Sequence, residues 1–204
     1  MKLFNFGTDY PLENDTVLLR PLTAGDDSHL IDFAIEEPEL WKYSMVPVVG
    51  KEGLKNYINR ALQGRRSQKE YPFIVFDKRR GIYAGCTRFY DIQLNNGTLQ
   101  LGYTWYGKQF QGTGLNKHCK FLLLEFAFEG IKVERVEFRA DSLNARSLAA
   151  MKSIGCTVEG VLRSHGPRQD GSRRDSIVLS ILRQEWHGHI RQELFRKLHE
   201  APGK

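Results

Sequence analysis

Apolar and polar positions recur from residue 16 onward with a period that changes along the chain, and these changes mark out the elements. Thr16-Val17-Leu18-Leu19-Arg20-Pro21-Leu22 reads as a short strand ending in a turn. Thr23 stands where a helix cap would, and Leu30, Ile31, Phe33, Ala34 and Ile35 follow. That helix should stop before Pro38, because proline disfavours helical backbone in the residue ahead of it. Leu40 and Trp41 fall in a short second piece. Over residues 51–66, Leu54, Tyr57, Ile58, Ala61 and Leu62 share one helical face. Arg65, Arg66 and Lys69 lie at its far end, where unpaired carbonyls favour cations. A strand series follows: Tyr71 to Phe76, a turn at Lys78-Arg79-Arg80-Gly81, Ile82 to Ile92, a turn at Asn95-Asn96-Gly97, and Leu99 to Tyr106. This is an antiparallel meander.

Helical spacing returns at Leu115, Cys119, Leu122, Leu123 and Phe126. Val133 to Phe138 reads as a strand and Asn144 to Ser153 as a short helix. Cys156 to Leu162 and Ser176 to Leu182 read as strands separated by a polar stretch, Arg163 to Arg174. Ile190, Leu194 and Leu198 mark a C-terminal helix. The order β-α-α-β-β-β-α-β-α-β-β-α predicts an α/β fold with a mixed sheet. We divide the chain into an N-terminal arm (1–15), a main domain (16–185) and a C-terminal helix (186–204). No repeat or low-complexity tract interrupts it.

Composition narrows the class. With 204 residues, 41% hydrophobic and 26% charged, the chain suits one globular domain with a sizeable core. No apolar run approaches a membrane span, and Met1-Lys2-Leu3-Phe4-Asn5-Phe6-Gly7 is followed by acidic residues rather than an apolar secretory segment. A net charge of +6 favours an anionic partner without naming one. Cys86, Cys119 and Cys156 lack metal-ligand or redox spacing and read as buried thiols in a reducing cytoplasm. His187 and His189 have no third ligand nearby, so no metal is expected.

The informative segment is Tyr103-Thr104-Trp105-Tyr106-Gly107-Lys108-Gln109-Phe110-Gln111-Gly112-Thr113-Gly114-Leu115-Asn116, which joins a strand to an amphipathic helix. Gly112 and Gly114 clear the backbone for close approach, and consecutive N–H groups at a helix N-terminus can hold a phosphate. It is neither a P-loop nor a dinucleotide fingerprint, and a plain tight turn is the alternative that glycines alone leave open. Gln109-Phe110-Gln111-Gly112-Thr113-Gly114 resembles the Q/R-x-x-G-x-G/A acyl-CoA pyrophosphate loop of the GCN5-related N-acetyltransferase (GNAT) superfamily. Asn144-Ala145-Arg146-Ser147, then Gly155-Cys156, Glu159-Gly160-Val161-Leu162-Arg163, Asp170-Gly171 and Arg174-Asp175, resembles its ribosomal-protein N-terminal (RimJ/RimL-type) branch. The resemblance covers roughly residues 15 to 185.

The resemblance implies a single domain with a mostly antiparallel sheet flanked by helices and splayed at an acetyl-CoA site, and acetyl transfer to a primary amine. It implies that Gln109, Gln111, Gly112, Thr113 and Gly114 bind the cofactor, with the backbone around Tyr103, Thr104 and Trp105 pairing with the pantetheine arm. Asn144 would bind a pantetheine amide or order the helix start, and Ser147 would serve the departing thiolate. Gln100 stands where many relatives carry a Glu base and cannot take a proton. His165 in the polar stretch is the candidate base, with a solvated loop histidine as the alternative. His118 reads as structural. Arg163, Arg168, Arg173 and Arg174 border the same opening, and solvated loop charge is our expectation for them. The acceptor is expected to be a protein N-terminal amine. A small amine, such as a polyamine or aminoglycoside, and a catalytically weak acyl-CoA-binding module stay open. No membrane partner is expected, nucleic acid only through the ribosome, and a homodimer is anticipated because relatives often dimerise.

Overall fold

The computed structural model describes residues 4–46 and 48–199. Within them the strands form one sheet of 8 in the order β1-β2-β3-β4-β5-β6-β8-β7. These are β1 (Leu12–Glu13), β2 (Val17–Pro21), β3 (Tyr71–Asp77), β4 (Ile82–Gln93), β5 (Thr98–Tyr106), β6 (Arg135–Asp141), β7 (Thr157–Pro167) and β8 (Arg173–Leu182). Every pairing is antiparallel except β5 with β6, which is parallel. The expected meander over β3, β4 and β5 is present. Its alternation is local, and its turns at 78–81 and 94–97 carry glycines in left-handed backbone.

Helices cover both faces. On one side α1 (Asp27–Glu36) and α2 (Gly50–Arg66) pack over Ile74, Cys86 and Trp105. On the other lies the larger core, where Leu115, Cys119 and Leu123 of α3 (Leu115–Glu125) meet Phe73, Phe89, Leu101 and Phe138. α4 (Ala145–Ser153) contributes Met151 to that core. The C-terminal segment, α5 (Arg183–Glu185), a π-helical turn and α6 (Arg191–His199), buries Trp186, Ile190 and Leu194 in the same cluster. It caps the domain.

Several sequence expectations are corrected. A short strand precedes the first one expected: Leu12–Glu13 pairs with β2, and Tyr10 packs on Tyr71 and Phe126. Thr23 starts a 3₁₀ turn (Ala24–Asp26) rather than α1, and the Asp26 carboxylate accepts from the Thr23 N–H at 2.7 Å. The C-terminal helical segment begins at Arg183, and residues 1–3 of the arm and 200–204 of the C-terminal assignment lie outside the described residues. The polar stretch Arg163 to Arg174 is mostly strand: β7 and β8 extend to Pro167 and from Arg173, with only a tight tip between. It reads as loop because the hairpin projects past the core, where both faces meet polar groups. No helix of the described residues is long and apolar enough to cross a membrane.

Candidate active site

β5 and β6 are joined only at Thr98↔Arg135, Leu99↔Val136 and Gln100↔Glu137. Beyond Gln100 and Glu137 the two strands have no mutual pairing, while β5 stays bonded to β4 and β6 to β8. The sheet is therefore splayed at its centre. On β5 the register to β4 shifts between Arg88↔Gly102 and Cys86↔Trp105, and Tyr103 takes φ 49°. This bulge re-aims the strand beside the opening.

The glycine loop begins where β5 ends. A 3₁₀ turn (Lys108–Phe110) leads to Gln111, Gly112 (φ 75°), Thr113 and Gly114 (φ 85°), and α3 starts at Leu115. Among the described residues the amides of Gly112, Thr113 and Gly114 donate to no acceptor. A Cβ built on either glycine meets nothing within 4 Å, so the loop faces open space. Left-handed backbone, free amides and a helix N-terminus together make an anion cradle. The loop is fixed from behind: Gln111 Nε2 donates to the Tyr106 carbonyl at 2.9 Å, Thr113 Oγ1 to the Phe110 carbonyl at 2.8 Å, and Arg80 to Gln109 Oε1 at 2.8 Å.

A cavity of about 380 Å³ joins this loop to the start of α4, lined by Tyr43, Lys108, Gln111, Leu143, Asn144 and Arg146. Arg146 donates to Gln111 Oε1. Asn144 is the N-cap of α4, its side-chain oxygen accepting from the Ser147 N–H at 3.0 Å. Of the two roles anticipated for Asn144, the structure displays the helix-ordering one. Ser147 is half-buried, and its hydroxyl has no partner among the described residues.

His165 lies on β7, not in a loop, and is half-buried against the face of the sheet that carries Glu137 and Arg139. Its Nδ1 is 2.9 Å from Ser176 Oγ and its Nε2 is 3.5 Å from Arg139. Burial, then the Arg139 and Arg174 charges, hold its pKa below the usual 6.5. Ser176 pairs with Asp141 at the end of β6, and the Asn144 N–H donates to the Asp141 carbonyl at 2.9 Å. One strand end thus links His165 to the start of α4.

The arginines of the hairpin are not all solvated, contrary to expectation. Arg168 forms an ion pair with Asp141, donating at 2.8 and 2.9 Å, and Asp141 is held below the ordinary carboxylate pKa. Arg174 is buried, donating to Ser176 Oγ at 2.8 Å and the Tyr43 carbonyl at 3.1 Å. Gln169 reaches the Trp41 carbonyl at 2.8 Å. The segment after the 3₁₀ piece Pro38–Trp41 is thus tied to the hairpin tip and roofs this face. Gln100 donates to Asp91 at 2.8 Å, while its Oε1 is buried without a partner. His118 bonds Asn14 at 3.1 Å, a structural contact.

The free loop amides and a buried oxygen at the splay are polar groups that a ligand lying in the opening could bond. Among the described residues the buried side-chain polar atoms without hydrogen-bond partners are Trp41 Nε1, Gln100 Oε1, Trp105 Nε1, Tyr106 OH and Asn116 Oδ1. They lie on β5, on the first turn of α3 and on the facing 3₁₀ piece. Buried polar groups left unbonded are costly, and one of them, Gln100 Oε1, belongs to the last residue of β5 paired with β6. Sequence reading missed Lys120, Tyr90, Glu137 and Arg139, because only the packing of α3, β4 and β6 beside β5 brings them near the opening. The described residues contain no cluster of His, Cys, Asp and Glu suited to a metal, and all three cysteines are buried and free.

The profile of the acetyltransferase (GNAT) domain family matches residues 16–157. YdaF of Bacillus subtilis (strain 168), provisionally named a ribosomal N-acetyltransferase, is 31% identical over 108 residues, 53% of this chain and 58% of that protein. The chain thus spans little more than half the length of that relative. A crystal structure from T. thermophilus, provisionally named an acetyltransferase, superposes with TM-score 0.84 at 29% identity, covering 98% of this chain and 100% of that one. RimL, the ribosomal L7/L12 α-N-protein acetyltransferase solved with coenzyme A, superposes with TM-score 0.75 at 17% identity, covering 85% and 98%. That last likeness speaks for the fold.

Proposed function

Because the chain belongs to the acetyltransferase (GNAT) domain family, we propose that it moves an acetyl group from acetyl-CoA to a protein N-terminal α-amine of the ribosomal-protein type. The observation that carries this reading is the splay between β5 and β6 with the free amides of Gly112, Thr113 and Gly114 at its mouth. Acetyl-CoA, when bound, supplies the acetyl group as an activated thioester.

The loop amides and the N-terminus of α3 would hold its diphosphate, with Gln109 and Gln111 setting the loop from behind. The backbone around the Tyr103 bulge, with Trp105 beside it, would bind the pantetheine arm and offer an N–H to the carbonyl oxygen. Asn144 would hold the start of α4 so that the Ser147 hydroxyl donates a hydrogen bond to the departing sulfur. His165 would take the proton of the incoming amine. Its lowered pKa keeps the imidazole neutral and able to accept at pH 7. Most of the rate gain on this reading comes from placing amine against thioester. The segment from Trp41 to Tyr43, tied to the hairpin, would wall one side of the acceptor approach. The name of the Bacillus subtilis relative supports the same acceptor.

The test is an acetyl-CoA assay over peptide N-termini, polyamines and aminoglycosides, reading free CoA thiol. Turnover with peptide N-termini is the expected result. Preference for a polyamine or aminoglycoside would overturn the acceptor alone. Tight acetyl-CoA binding with no turnover on any amine would leave only a binding module.

A further inference from the structure

Lys120 is a lysine inside the larger core. It sits in the second turn of α3 and is 5% exposed. Its Nζ donates to Thr104 Oγ1 at 3.0 Å and lies 5.8 Å from the centroid of the Phe138 ring. Thr104 belongs to β5 and Phe138 to β6, so the ammonium stands between the two strands where their pairing has ceased. Thr104 Oγ1 is 2.7 Å from Thr87 Oγ1 on β4. The acidic groups acting on Lys120 are thiols, Cys119 of α3 and Cys156 ahead of β7, with no carboxylate among them. The phenol of Tyr106, the titratable group of β5 next to Cys119, is itself neutral and buried.

An ammonium has three donors, and among the described residues one hydrogen-bond acceptor, Thr104 Oγ1, is supplied. One turn earlier on the same helix face, Asn116 Oδ1 is also buried and unbonded. A polar stripe therefore runs down α3 from the glycine loop to Lys120, in a core otherwise built of leucine and phenylalanine. A buried cation without a counterion is unfavourable unless an anion arrives. Burial has already drawn the amine down to about 8.

We propose that Lys120 forms a thiolate subsite: its ammonium faces the sulfur of the acyl carrier and donates its proton as the carbon–sulfur bond breaks. The inference rests on the functional reading above. In the step, the amine nitrogen bonds to the carbonyl carbon, and the carbon–sulfur electron pair goes to sulfur. Sulfur takes the Lys120 proton, the nitrogen gives one proton to His165 or water, and Lys120 is reprotonated from solvent. Ser147 then orients the sulfur by a hydrogen bond, a task a hydroxyl performs, while the stronger acid supplies the proton.

The experiment is a binding comparison of CoA with desulfo-CoA, which lacks the sulfur, in the wild type and in Lys120→Met, from pH 6 to pH 9. The wild type should prefer CoA by about tenfold or more at high pH, the scale of one charge-assisted hydrogen bond. Lys120→Met should lose that preference and keep its desulfo-CoA affinity. Thiolate absorbance should give bound CoA a lowered thiol pKa in the wild type only, and turnover should fall about tenfold or more with KM for acetyl-CoA unchanged. An unchanged CoA preference in Lys120→Met overturns the proposal, as does a wild type with no preference. Lys120→Gln serves the same comparison if the Met variant fails to fold. If the wild type binds neither compound, the functional reading itself falls.

Discussion

Replacing Lys120 by Met should stabilise the protein at neutral pH, and the amount follows from the burial. The Lys120 amine is drawn from its ordinary 10.5 to about 8 by desolvation. Each pKa unit corresponds to about 1.4 kcal/mol, so the charged form is disfavoured in the fold by about 3 kcal/mol. Below pH 8 folded and unfolded chains both carry the proton and the whole cost is present. Between about 8 and 10.5 the folded state releases it first, the unfolded state binds more protons, and stability rises with pH. Above 10.5 both states are neutral and the cost is gone. Methionine fills a similar volume without the charge but loses the bond to Thr104, worth about 1 kcal/mol. The net gain at pH 7 is about 2 kcal/mol, or roughly 4–8 °C in Tm for a chain of this length. Urea unfolding of both proteins at pH 7 and pH 11 measures it, and the Met advantage should vanish at the higher pH. A Met variant that is less stable at pH 7, or equally advantaged at both pH values, would refute the reasoning. A stabilised but slow variant would mark Lys120 as a place where function opposes stability.

Gly112→Val should leave the fold intact, since its Cβ meets no atom within 4 Å, but strain the φ of 75° and fill the cradle; calorimetry should show CoA affinity reduced about tenfold or more, and retained affinity would sink the phosphate assignment. Ser147→Ala should lower kcat much more than CoA affinity; equal losses would remove its assigned role. Arg139→Gln withdraws a cation beside His165, so the His165 pKa should rise toward 6.5 and the acid limb of kcat/KM should move to higher pH with it; an NMR titration in which His165 does not move contradicts this. Asp141→Asn should destabilise the protein by weakening the pair with Arg168. Because the folded carboxyl lies below its usual 3.8, that stability is present above about pH 4 and fades on acidification, so the two proteins should converge in acid unfolding curves.

Local patterns made part of this legible. The face of α2 with Leu54, Tyr57, Ile58 and Ala61 is buried as its spacing requires, because an amphipathic helix carries its own burial signal. The glycine loop is also local, and the structure places Gly112 and Gly114 in left-handed backbone ahead of α3. Asn144 before α4 follows the same logic of a capping side chain at a helix start. His165 and the arginines were misplaced for a physical reason. A hairpin that projects beyond the core has no apolar face, so β7 and β8 look like loop between residues 163 and 174. Arg174 is buried by the Tyr43 segment, a contact across 131 positions that no window along the chain contains.

The sequence by itself determined the order of the main elements, the α/β class and the glycine loop ahead of α3, since each depends on neighbours a few residues apart. Tertiary structure alone assembled the candidate site. The splay arises because β5 and β6, separated by α3, pair at only three positions before diverging. Nothing in Lys-Phe-Leu-Leu-Leu at 120–124 distinguishes a solvated lysine from a buried one. Only the packing of α3 across that divergence puts the Lys120 ammonium between Thr104 and Phe138, out of water and short of a counterion. Charge in a low-dielectric interior is set by what surrounds it in space, and the chain alone does not state those surroundings.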